Sequence, residues 1–292
     1  MTKAAQAAAQ EIEVCTMLKQ LPLFLAIAIL SVLFVGCGQN SATVEQFTLP
    51  ELSPLPKATV EAPAETPSPT FYEAAYKETD LYDDSTKRPP MVALTFDDGP
   101  SRYTDSILDL LEYYGGRATF FVVAPRVLAQ PETIIRAHEM GHEIANHSWT
   151  HRNLSTLTKA EITEEIQSTS EVITNKIGAS PPMHRPPFGM TDDRVIQISY
   201  ELGYSIIKWT VDPLDWRYRD ADIVYQHILD HAEDGAIILT HDTRPTTAAA
   251  MERVIPRLIE EGFQLVTVSE LLYHLYGGLE AGRIYGSYSI ID

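Results

Sequence analysis

Residues 91–100, Met91-Val92-Ala93-Leu94-Thr95-Phe96-Asp97-Asp98-Gly99-Pro100, decide how the rest of the chain is read. An apolar run of six closed by Asp-Asp-Gly-Pro is a short buried strand that ends in a turn. The same texture repeats downstream. Ile107, Leu108, Leu110 and Leu111 give a helical stripe, and Ala118–Val123 is the next strand. A helix around Ile134–His138 stops at Gly141, and Glu143–Asn146 leads into His147. A long amphipathic helix covers about 159–177, and Met183–Phe188 is a strand weakened by prolines. Then come a helix at 195–202, a strand at Ser205–Val211, a helix at 223–231 and a strand at Ala236–Thr240. A helix at 251–261 and a strand at Phe263–Val268 complete seven strand–helix units. That alternation is the pattern of a parallel sheet covered by helices. Periodicity alone leaves an open sheet and a barrel both possible.

Polar residues collect where those strands end. Asp97 and Asp98 close the first, His147 the third, Asp212 the fifth and His241 the sixth, while Arg185 lies within the fourth. In barrels of parallel strands this rim carries the active site. His147 and His151 are spaced i, i+4, and one helical turn would put both imidazoles on one face. Two imidazoles and the Asp98 carboxylate make a three-ligand metal site with open positions, for which Zn²⁺ is the first candidate and Co²⁺, Ni²⁺ or Mn²⁺ alternatives. Asp97, beside the ligand but not bound to the metal, suits a general base, with Arg185 as its cationic partner. His241 suits a general acid, and a buried carboxylate such as Asp212 would raise its pKa and fix its tautomer.

The chain has 292 residues, 40 acidic against 22 Lys+Arg, and a net charge of −18. This balance argues against nucleic-acid binding, which needs a basic face. Two cysteines exclude a disulfide scaffold, and no obligate protein partner is evident. Leu21–Gly36 is uncharged for sixteen residues, follows Lys19 and precedes Cys37. It reads as the apolar core of an export signal, too short for an ordinary spanning helix. Gly36-Cys37 resembles a bacterial lipoprotein processing site, with Phe34 where such sites usually carry Leu, so Cys37 is the candidate lipidation site. An uncleaved short anchor is the alternative. Met17 opens a more ordinary signal than Met1, whose leader carries Glu11 and Glu13. Both readings put the domain outside a membrane, anchored to it. The organisation expected is a signal at 1–37, a Pro/Thr/Glu-rich linker at 38–88, a catalytic domain at 89–277 and a tail at 278–292.

Five segments stand in order: Thr95-Phe96-Asp97-Asp98-Gly99-Pro100, His147-Ser148-Trp149-Thr150-His151, Arg185-Pro186-Pro187-Phe188-Gly189, Asp212-Pro213-Leu214-Asp215-Trp216 and Leu239-Thr240-His241. Together they resemble the motifs of the NodB-like polysaccharide deacetylases, carbohydrate esterase family 4, over about residues 90–270. The resemblance implies an irregular (β/α)7 barrel and divalent-metal hydrolysis of N-acetyl, sometimes O-acetyl, groups on sugar polymers. It implies Asp97 as base, Asp98, His147 and His151 as metal ligands, Arg185 as the residue orienting Asp97, and His241 as acid with Asp212 behind it. It also implies that the backbone N–H of Phe188, usually a Tyr, binds the oxyanion, and that Leu239 and Trp216 wall the acetyl pocket. Arg152 stands where many relatives have Pro. The stretch from Lys208 to Asp242 looks most like the peptidoglycan N-acetylglucosamine deacetylases. The substrate expected is therefore an N-acetylated cell-wall glycan, with a chitooligosaccharide or exopolysaccharide, an ester-linked acetyl group, or non-catalytic wall binding as alternatives.

Overall fold

A computed structural model describes residues 88–286. The signal, Cys37 and nearly all of the linker lie outside the described residues. Among the described residues no helix is long and apolar enough to cross a membrane.

Among the described residues, eight strands form one parallel sheet: β1 Met91–Asp97, β2 Thr119–Val122, β3 Glu143–Asn146, β4 Met183–His184, β5 Ser205–Ile207, β6 Ala236–His241, β7 Gln264–Leu265 and β8 Ile284–Tyr285. Their order is β6-β1-β2-β3-β4-β5-β8. β7 shares an edge of β1 with β2: it pairs with Met91 and Val92, and β2 pairs with Thr95–Asp97. Past β5 the chain crosses to the far edge, where Leu239 N–H donates to Val211 O at 2.9 Å. The sheet therefore curls into an irregular barrel, closed by a bridge of Val211 to Ile238 rather than a full strand. This is the expected barrel, with strands shorter than their apolar runs at β4 and β5.

Nine helices connect the strands among the described residues: α1 Thr104–Tyr114, α2 Ala124–Ala129, α3 Pro131–Glu139, α4 Lys159–Ile177, α5 Asp193–Glu201, α6 Asp215–Tyr218, α7 Ala221–His231, α8 Pro245–Glu260 and α9 Val268–Tyr276. Alternation along β1 sorts two cores. Val92, Leu94 and Phe96 pack outward with Ile107, Leu111, Val224 and Val254 of the helices. Ala93 faces the barrel interior with Phe121, Ala145, Met183, Ile207 and Ile237. Val268, Leu271 and Leu272 of α9 join that inner cluster and plug the end where the strands begin. Buried Glu143 holds the plug, accepting the backbone N–H of Ser269 at 3.1 Å and the Thr119 hydroxyl at 2.9 Å.

The tail expected at 278–292 contributes to the barrel. Ile284–Tyr285 form β8 beside β5, with Lys208 N–H donating to Tyr285 O at 2.8 Å. A two-residue strand leaves no periodic signal, which is why sequence patterning misses it.

Candidate active site

The inward face of β1 continues from Ala93 through Thr95 to Asp97, so Asp97 points into the barrel mouth. The next residue of a regular strand would point away. Asp98 instead takes a left-handed conformation, φ 72°, which turns its carboxylate back into the same mouth. In register on the neighbouring strand, Thr95 pairs with Leu239 and Asp97 with His241. The candidate base and acid thus sit side by side on β1 and β6, with Leu239 one layer beneath His241.

His147 and His151 do converge on Asp98, but not through a helix. The segment is a loop with positive φ at Ser148 (69°) and His151 (56°). His151 Nε2 lies 3.1 Å and His147 Nε2 3.5 Å from Asp98 Oδ1, and one donor atom from each residue falls within 4.8 Å of the others. His147 Nδ1 donates to Arg185 O at 2.7 Å, which leaves the Nε2 lone pair facing Asp98. Burial lowers the His147 pKa. Burial alone would raise Asp98, but the His151 hydrogen bond and the charges that the neighbouring histidines carry when protonated hold it well below the usual carboxylate range. Asp98 Oδ1 is buried with no hydrogen-bond partner. An ionised carboxylate facing imidazole lone pairs at this spacing fits a divalent cation.

Arg185 is fully buried and makes the expected contact, Nη1 to Asp97 Oδ1 at 2.6 Å. Nη1 also donates to Thr95 Oγ1 at 2.8 Å and Nη2 to Lys208 O at 3.1 Å, while the guanidinium lies over the Phe121 ring at 4.0 Å. Asp97 Oδ1 is therefore occupied, and Oδ2 is left toward the mouth, 3.7 Å from His147 Nε2.

The partner of His241 differs from the expected one. Asp215, not Asp212, lies 2.7 Å from His241 Nδ1 and also accepts the His241 backbone N–H at 2.8 Å. Thr247 Oγ1 donates to Asp215 at 2.6 Å. Asp212 instead accepts Leu214 N–H at 2.8 Å and shapes the turn into α6. Both carboxylates flank one turn, and left-handed Leu214 (φ 55°) swings the second beneath His241. Burial opposes a charge on His241, but the Asp215 bond and charge outweigh it and raise its pKa to about 9.

Phe188 sits in a tight turn at φ 61°, with its ring 4.9 Å from that of His151. Its side chain is exposed, as is Trp216, whereas Leu239 is buried. Two further carboxylates brace the site without a signal in the motifs. Glu165 of α4 accepts the backbone N–H of Trp149 at 2.9 Å and of Thr150 at 2.8 Å, between the two histidines, and Arg152 reaches it at 3.3 Å. Asp242 is fully buried against the Asp98 turn, taking the Thr104 hydroxyl at 2.5 Å. Its pKa is pushed up to about 7 by burial, against that bond. Glu165 lies in an ordinary amphipathic helix pattern, so only its burial, 3% exposed, reveals it.

Residues 84–207 match the sequence pattern of the family described as Polysaccharide deacetylase. The peptidoglycan deacetylase PdaC of Bacillus subtilis, whose structure is solved, is 40% identical, with a TM-score of 0.61 over 63% of this chain and 90% of that one. The chain belongs to the polysaccharide deacetylase family. Among curated relatives of this deacetylase-family chain, the peptidoglycan-N-acetylglucosamine deacetylase PgdA of Listeria monocytogenes is 39% identical over 66% of the chain. The peptidoglycan-N-acetylmuramic acid deacetylase PdaC is 41% identical over 62%. The chain spans about two fifths of the length of each, 41% and 38%.

Proposed function

We propose that this chain hydrolyses N-acetyl groups of peptidoglycan, N-acetylglucosamine first, releasing acetate and leaving a free amine on the glycan. The observation that carries the reading is the pairing of two devices across β1 and β6: a carboxylate oriented by a buried arginine, and a histidine raised by a buried carboxylate. Sites that set an oriented carboxylate beside a histidine held protonated are built for proton transfer in both directions.

Asp98, His147 and His151 would hold the metal, Zn²⁺ first among Co²⁺, Ni²⁺ and Mn²⁺. When bound, such an ion polarises an acetamide carbonyl and acidifies a water. Asp97 Oδ2 accepts the proton of the attacking water, because Arg185 engages Oδ1. The N–H of Phe188 supports the oxyanion, its position set by the turn that packs Gly189 on Trp209. His241 Nε2 then donates its proton to the departing amine, while Asp215 stabilises the imidazolium. Leu239 and Trp216 flank the acetyl methyl. The same reading places the domain outside the cytoplasmic membrane, held by lipidated Cys37.

The test is loss of acetyl from peptidoglycan fragments and N-acetylglucosamine oligomers, followed by mass spectrometry with and without chelator. Chelator-sensitive loss with the mass change on one sugar supports the reading and names that sugar, N-acetylglucosamine as in the name of PgdA or N-acetylmuramic acid as in that of PdaC. Acetate from acetylated xylan alone would make the chain an O-esterase. Retention on cell wall without turnover at any metal concentration would make it a binding protein.

A further inference from the structure

Fourteen arginines fall within residues 88–286, and those without an ion-pair partner share one end of the barrel, where Arg152, Arg185 and Arg194 are paired. Nine have a carboxylate within ion-pairing distance. Among the described residues, Arg102, Arg126, Arg217, Arg219 and Arg244 make no such pair. All five follow strands of the parallel sheet. Arg102 lies between β1 and α1, and Arg126 in the first turn of α2 directly after β2. Arg217 and Arg219 lie between β5 and α7, and Arg244 between β6 and α8. Those connections gather at the end of the barrel that carries Asp97, His147 and His241. Arginines away from that end are all paired.

The pattern runs against the composition. An acidic chain with 40 carboxylate residues has partners to spare, yet four of these guanidiniums face solvent around the mouth. Arg102, Arg126, Arg217 and Arg219 are exposed, and Arg217 follows exposed Trp216 directly. Arg102 lies 4.7 Å from the Tyr103 ring centre. Arg244 is half-buried, and its Nε is buried without a hydrogen-bond partner, a donor in need of an acceptor. A net charge of −18 repels anionic polymers elsewhere on the surface.

We propose that these five arginines form a cationic collar that selects glycan strands carrying carboxylates beside the N-acetyl sugar. The inference rests on the deacetylase reading and narrows its substrate class. Guanidinium forks match carboxylates bidentately, and guanidiniums gathered at the rim steer an acidic strand toward the mouth. Peptidoglycan bears such acids on its stem peptides, and on the lactyl ethers of muramyl sugars whose peptide has been removed. Chitin oligomers bear none.

The test compares kcat/KM on muramyl-containing fragments with kcat/KM on N-acetylglucosamine oligomers of equal length. It uses the wild-type chain, R217Q/R219Q and R102Q/R126Q/R244Q, at low and high salt. The wild type should prefer the acidic fragments, and the preference should fade with salt and with conversion of their carboxylates to amides. Each multiple variant should lose about fivefold of that preference while its rate on neutral oligomers stays unchanged. Equal preference for acidic and amidated fragments in the wild type would overturn the collar. So would equal losses on both substrates in the variants, or stronger inhibition by poly(glycerol phosphate) than by acidic glycan. Sedimentation of chelator-treated protein with insoluble peptidoglycan or chitin separates this from the catalytic reading. Arginine-dependent, salt-sensitive retention on peptidoglycan, with no turnover of any substrate once metal is restored, would sink the deacetylase and leave the collar standing.

Discussion

Asp215 Oδ1 lies 2.7 Å from Nδ1 of His241, and the same carboxylate takes the His241 backbone N–H. This fixes ring, tautomer and charge together. Asp215→Asn should lower kcat by about 10²- to 10⁴-fold, the range of a general acid. His241 sits near 9, so its proton is available throughout neutral pH. Without the carboxylate, burial opposes the imidazolium with only the charges of Asp97 and Asp98 left to favour it, so its pKa falls. The alkaline limb of the kcat/KM profile should therefore move to lower pH. Linkage has a matching sign: a raised folded pKa stabilises the fold below 6.5, and that stability fades as pH rises through 9. Asp215→Asn should flatten this part of the stability profile. Asp212→Asn should leave the alkaline limb where it is, and a limb that moves with Asp212 instead would return the role to that residue.

Arg185 and Asp97 form a buried pair whose loss is costly in two ways. Arg185→Met leaves Asp97, 3% exposed, without its cation, and removing one partner of such a pair costs about 3–5 kcal/mol. Thermal unfolding should show this as a large fall in Tm. Arg185→Lys keeps the charge but cannot reach Asp97, Thr95 and the Lys208 carbonyl at once. Its Tm should fall less, while kcat drops by at least about tenfold through a misdirected Asp97. A Lys variant with wild-type kcat would show that orientation of the base is unimportant.

Much of this site is legible in the sequence because residue type and strand end coincide. Asp97, Asp98, His147, Arg185 and His241 each follow or close an apolar run, and the barrel needs only its parallel order to gather them. What escapes is set by backbone conformation. Positive φ at Ser148 and His151 brings the imidazoles together without a helix, and no residue there is a glycine that would announce it. Likewise Leu214 decides whether Asp212 or Asp215 lies under His241. Glu165 is reached through the packing of α4 on the histidine loop, a tertiary contact with no local trace.

Gly99 tests how tightly the Asp98 turn is seated. A Cβ there would fall 2.2 Å from one carboxylate oxygen of Asp242 and 2.7 Å from its Cγ. Asp242 is fully buried and tied to Thr104, so it has little room to yield. Gly99→Ala should cost about 1–3 kcal/mol by overpacking. It should also displace Asp98 and lower activity beyond the stability loss. The shorter side chain in Gly99→Ala/Asp242→Ser should restore much of the Tm. Failure of the double variant to recover would place the strain elsewhere in the turn.

Glu165 offers the cleanest separation of metal binding from folding. Its carboxylate accepts two consecutive backbone N–H groups between His147 and His151, and its partners include the Thr150 hydroxyl and Arg152. None of these atoms touches the candidate ligands, so Glu165 is a positioning residue. Partners of this kind typically govern metal affinity by 10- to 100-fold. Glu165→Ala should weaken Zn²⁺ affinity by about that range, measured by competition with a chromophoric chelator, while activity at saturating metal stays within about threefold of wild type. Glu165→Gln, which keeps one acceptor oxygen, should fall between the two. Metal should also raise the Tm of the wild type, because a ligand that binds only the folded state stabilises it. That increment should shrink in Glu165→Ala at a fixed subsaturating concentration. If the Tm of the metal-free variant falls but its Zn²⁺ affinity is unchanged, Glu165 serves the fold alone, and the spacing of the two histidines is set by Asn146 and Ser148 instead.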